Sequence, residues 1–140
     1  KKATKAIREA FPHLEIDELS VVTRFRDNAS GKVVIDLMKS DQGVFRAAFR
    51  HTHKVEAEGQ EFLIPSLEMA IAMKFAPMVS PNRPEEDRYQ DAHDFMHMVK
   101  TNPVVDSKVL QELGEMVYPG GGEEILEMVR RVREGKKLNL

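Results

Sequence analysis

The chain has 140 residues, 41% apolar and 31% charged, with a formal net charge of −2. That length and balance predict one globular domain with a core of its own. It has no cysteine, which excludes a disulfide framework, a thiolate metal site and a cysteine nucleophile. No apolar run approaches the roughly 18 residues that span a bilayer, and the near-neutral total exerts no general pull on nucleic acid. The expectation is a cytoplasmic protein without a membrane partner.

"KKATKAIREAF" (1–11) sets Ala3, Ala6, Ile7 and Ala10 on one helical stripe until Pro12 ends it. Its charge separates it from the apolar centre of a signal peptide. "ELSVVTRFRD" (18–27) and "KVVIDLMKS" (32–40) read as the two arms of a hairpin around the turn "NASG" (28–31). Within the second arm, "GKVVIDLM" (31–38) reads as a buried strand with one acid, Asp36, in its middle. A desolvated carboxylate is costly alone, so it calls for a cation, a metal or an open edge. "QGVFRAAFR" (42–50) predicts one or two helical turns, and "HKVEAEGQEFLIP" (53–65) a second hairpin turning at Glu58-Gly59-Gln60.

From residue 65 the pattern is helical. "PSLEMAIAMKFAPM" (65–78) begins with Ser66 as N-cap and Glu68 in the first turn, and it leaves through Pro77 and "SPNRP" (80–84). "EEDRYQDAHDFMHMVK" (85–100) is a second helix, and "DSKVLQELGEMV" (106–117), capped by Asp106 or Ser107, a third. "PGGG" (119–122) reads as a flexible joint before a fourth helix, "EEILEMVRRVREGKK" (123–137). The basic "KKATKAIR" and "RRVREGKK" and the acidic "PEEDRYQD" read as solvated charge runs, the C-terminal one offsetting a helix dipole. The fold class expected is α+β in a single domain: a helix and a small mixed sheet of two hairpins over 1–64, then a helical half over 65–140.

The helix at 67–78 is apolar nearly all round, hence central to the core, and Lys74 is its one cation. Lys74 either packs its stem and extends its ammonium to solvent or aims at a phosphate or at an acid such as Asp36. In the next helix Tyr89, Ala92, Met96 and Val99 form the expected apolar stripe with Phe95 beside them; Asp87, Asp91 and Asp94 lie opposite, Asp87 and Asp91 reading as exposed acids near a helix N-terminus. His93 and His97 share a face in "HDFMH", but Asp94 is short and no third ligand is evident, so they read as surface histidines.

The order of these pieces carries more than any one of them. "VVIDLM", then "FLIPSLEMAIAMKFA", a Pro-rich loop and "DRYQDAHDF" resemble nucleotidyltransferases of the polymerase-β type, in the minimal and abortive-infection-toxin-like branch, over residues 20–99. The resemblance implies a nucleotidyltransferase-like fold in which Asp36 is the third catalytic, metal-binding carboxylate. It also implies that Lys74 and Arg88 contact the nucleotide, and that Asp91 and Asp94 orient Lys74 or fix the helices. Its cofactor would be Mg²⁺, its partners an NTP and an RNA or protein acceptor, with an antitoxin or a homo-oligomer as further associates. No Gly-rich turn and no Asp-x-Asp pair precedes Asp36. The resemblance therefore implies a chain lacking the N-terminal strand–helix–strand unit and inactive by itself, with Mg²⁺ held only when missing ligands are supplied. The alternative is a non-catalytic binding or scaffold module for a protein or nucleic acid.

Overall fold

The computed structural model describes residues 2–39 and 43–139, so the expected segment ends at Lys1, Ser40 and Gln42 lie outside the described residues. The fold is α+β, built from antiparallel sheets and six helices among the described residues. The chain forms two compact units, Lys1–Phe45 and Arg46–Leu140.

In the first unit α1 (Lys2–Ala10) precedes β1 (Leu14–Glu18), β2 (Val22–Asp27) and β3 (Val33–Met38), which pair in the order β1-β2-β3. The expected hairpin gains a third strand because "LEIDE" alternates: Leu14 and Ile16 share a face, and Ile16 stands opposite Phe25. Phe25 is fully buried, with Ile35 opposite it on β3. The other face carries the row Asp17, Arg24, Asp36 in cross-strand register. β3 is an edge strand rather than the buried strand the sequence suggested, with Val33, Val34 and Met38 exposed. Its period of two sends Ile35 and Leu37 to the Phe25 face and Asp36 to the polar one. α2 (Gly43–Ala48), with Val44 and Ala47 buried, runs across the division between the two units.

In the second unit β4 (Thr52–Ala57) and β5 (Gln60–Pro65) form a two-stranded hairpin. Its tight turn places Glu58 at φ 52° and Gly59 at φ 73°, the positive pair that two-residue hairpin loops use. Four helices come next: α3 (Leu67–Met78), α4 (Glu85–Thr101), α5 (Ser107–Glu115) and α6 (Gly121–Arg133). Ser66 caps α3 by accepting from the Met69 amide at 3.2 Å, and Asp106 caps α5 by accepting from Lys108 and Val109. The Glu68 carboxylate accepts from the Asp106 amide, which ties the starts of α3 and α5 together. The core joins Ile71, Phe75 and Met78 of α3 to Phe95, Leu110, Leu113 and Ile125.

"PGGG" is not a loose joint. Gly121 and Gly122 form the buried first turn of α6, and a Cβ on Gly121 would lie 2.4 Å from the Gly114 carbonyl oxygen of α5. A Cβ on Gly114 would meet the Gly121 carbonyl oxygen at 2.6 Å, so the two backbones approach as only glycine allows. Glu115 accepts from the Gly120 and Gly122 amides and so satisfies donors at the start of α6. Nor does the C-terminal basic cluster stand free: Arg130 pairs with Glu127 and Glu134, and Arg133 donates to the Pro103 carbonyl. Gly121→Ala or Gly114→Ala is therefore expected to lower stability by about 1–3 kcal/mol or more through overpacking against backbone, measured by urea denaturation with circular dichroism.

Candidate functional site

Lys74, near the end of α3, points its ammonium at two acids one turn apart on α4. Its Nζ donates to Asp94 Oδ2 at 2.7 Å and to Asp91 Oδ1 at 3.3 Å. Asp91 and Asp94 stand three residues apart, so both carboxylates reach the same neighbour across a helix–helix contact. The Asp91 side chain is only 7% exposed, and its second oxygen is held by Arg83, whose Nε and Nη2 lie at 3.0 and 2.9 Å. Both guanidinium nitrogens converge on that one oxygen, a charge-assisted contact that leaves the other oxygen to Lys74. Arg83 also stands 3.8 Å from Asp87, and Gln90 donates to the other oxygen of Asp94. Two cations thus sit among three carboxylates.

The stripe expected from Tyr89, Ala92, Met96 and Val99 is rotated. Ala92, Phe95 and Val99 are buried with Asp91, whereas Tyr89 is exposed and donates to Glu85. Asp91 is therefore not an exposed helix-start acid. Its salt bridges make burial tolerable, and Tyr89 keeps its hydroxyl wet instead. Arg88 Nε donates to the Met78 carbonyl at 2.9 Å, filling an acceptor left open at the C-terminus of α3. Arg83 is the member of this cluster that the sequence reading missed. The available signal was a cation just ahead of the helix start, four residues before Asp87 and eight before Asp91.

Ionisation follows the contacts. Lys74 is shielded from water, which opposes its charge, yet the Asp94 and Asp91 carboxylates overcome this and raise its pKa above the ordinary lysine value. Asp94 is lowered below the usual carboxylate range, chiefly by the hydrogen bond from Lys74. The ammonium has three N–H donors, of which these two acids take two, and the Lys74 side chain stays about one-third exposed.

Asp36 belongs to the first unit. Its Oδ1 lies 3.2 Å from Arg24 Nε, and the side chain is 43% exposed. The pair is an ion contact rather than a hydrogen bond, because Arg24 Nε, although shielded from solvent, has no hydrogen-bond acceptor. Among the described residues no three His, Asp or Glu side chains stand together in a metal-binding arrangement. His93 is exposed, with Nδ1 3.7 Å from Asp94. The residues described here thus do not by themselves fit a Mg²⁺ site, which needs near-octahedral oxygen ligation. The chain matches no family model, no curated protein and no solved structure.

Two outcomes follow from the Lys74 cluster. Asp91→Asn should cost about 2–4 kcal/mol, because it leaves two part-buried cations facing a neutral amide, and Asp94→Asn should cost clearly less, both read from urea midpoints. Asp94 has a lowered folded pKa, so its contribution is fully present above the unfolded value near 3.8 and is lost as pH falls through the folded one. Acid titration of stability should show a loss below about pH 4 that is smaller in Asp94→Asn.

Proposed function

We propose that this chain is a nucleotidyltransferase-like domain, part of a Mg²⁺-dependent enzyme that moves a nucleotide from an NTP to an RNA or protein acceptor. The observation that supports this reading is the meeting of Lys74 with Asp91 and Asp94. These residues come from the two phrases of the resemblance, and here they act as one unit. Lys74 keeps one ammonium N–H for a phosphate oxygen. Asp36 contributes one metal carboxylate, and the others come from another segment or subunit, so the chain alone is inactive.

The charge balance around Lys74 sets a condition on the substrate. With three carboxylates beside two cations, a bare triphosphate is repelled, whereas a magnesium complex carries less negative charge. Magnesium, held by Asp36 together with carboxylates supplied from elsewhere, would contribute charge neutralisation of the phosphates. In this reading Arg88 is a positioning residue, since its Nε is committed to the Met78 carbonyl, and Lys74 is the nucleotide contact.

The Asp36–Arg24 pair favours a second reading, a non-catalytic binding or scaffold module, because that acid already has a cation beside it. Heteronuclear NMR separates the two. The enzymatic reading expects Mg·ATP to shift the Lys74 ammonium more than ATP alone does; an unchanged Lys74 signal would overturn it. Asp36→Asn should change stability by less than about 1 kcal/mol, the range of a half-exposed pair, while abolishing any magnesium-dependent shift in β3.

A further inference from the structure

None of the residues of β4 or β5 is buried, and every residue of β5 is exposed. Phe62, Leu63 and Ile64 are 46%, 62% and 43% exposed. An isolated two-stranded hairpin is at best marginally stable in water, and an open strand edge bearing apolar side chains is a template for another strand. Within the hairpin, β5 meets β4 with Phe62 opposite Val55, Leu63 opposite Lys54 and Ile64 opposite His53. Its outer edge has no strand partner among the described residues.

We propose that β5 is a self-association edge, pairing antiparallel with β5 of a second copy about a two-fold axis at Leu63. The segment is self-complementary in that register. Leu63 faces its own counterpart, and each Phe62 faces the other copy's Ile64, an aromatic–aliphatic pair repeated by the symmetry. Glu61 falls opposite Pro65, so no like charges confront one another, and Pro65, lacking an N–H, sits at the end of the ladder where one is least needed. The charges already within the hairpin discriminate against the other edge. On β4 the apolar residues are only Val55 and Ala57, while Lys54 is engaged by Glu61 at 2.8 Å and Glu56 stands opposite Glu61. A second copy on β5 yields one continuous sheet in the order β4-β5-β5-β4. With six residues a strand, the contact lies at the small end of specific interfaces, which makes it a weak, concentration-dependent dimer.

The absence of cysteine makes the register directly testable on the whole protein. Opposed residues of an antiparallel pair lie about 4.5–5.5 Å apart, within disulfide reach. Sedimentation over roughly 1 µM to 1 mM, the range of weak dimers, should show reversible dimerisation. Phe62→Lys should weaken it at least tenfold without loss of helical circular dichroism. On mild oxidation at a concentration where the dimer forms, Leu63→Cys should cross-link much faster than Gln60→Cys, whose positions the two-fold register keeps apart. A monomer at every concentration overturns the proposal, including one whose β5 amides are protected from exchange by residues 1–45 of the same chain. So does a dimer that survives Phe62→Lys, or equal cross-linking at the two positions.

Discussion

The buried carboxylate of Asp91 constrains the helical unit more than any other single group. A lone charge at that depth would be expelled or neutralised, so Lys74 from α3 and Arg83 from the connecting loop must both arrive for α4 to lie as it does. Each arrives on a different stretch of chain, which makes the network a fastener for the α3–loop–α4 hairpin. Arg88 adds to it by closing the open end of α3. The rotation of α4 that buries Phe95 and exposes Tyr89 follows from the same demand, because turning the helix to bury Tyr89 would carry Asp91 away from its cations.

Close backbone contact does for α5 and α6 what charge does for α3 and α4. Gly114 and Gly121 let two helices touch without side chains between them, and Glu115 holds the amides that open α6. Tyr118 then stacks on Phe75, with ring centroids 6.1 Å apart, and donates its hydroxyl to Glu124. The helical unit is thus pinned at two joints by opposite means, one by ion pairing and one by the absence of Cβ atoms. Neither device resembles a catalytic centre by itself. That is why the functional reading rests on what Lys74 has left to offer once its two acids are served.

The sheets are the less self-contained part of the molecule. β3 exposes Val34 at one edge and β5 exposes three consecutive apolar residues, although β3 also carries the Asp36–Arg24 pair on its polar face. An acid that alternates to a wet face beside an arginine needs no metal to account for its place. Any metal role for Asp36 therefore depends on carboxylates brought to it, and on a magnesium ion competing successfully with Arg24.

The local sequence determined most of the element types and many of their limits, though not the strand β1, because each depends on neighbours within a few positions. The Ser66 and Asp106 caps, the Glu58-Gly59 turn, the exit at "SPNRP" and the all-round apolar character of α3 are of this kind. So is the α+β order itself. Tertiary structure alone decided which side of α4 faces inward, since one buried acid with two distant cations outweighs the apolar period that placed Tyr89 in the stripe. It also decided that "PGGG" is a contact and not a hinge, because glycine is equally suited to flexibility and to close approach until a second helix is beside it. The same holds for Asp36: "VVIDLM" reads alike for a central and an edge strand, and only the pairing order of the sheet assigns its acid to the open side.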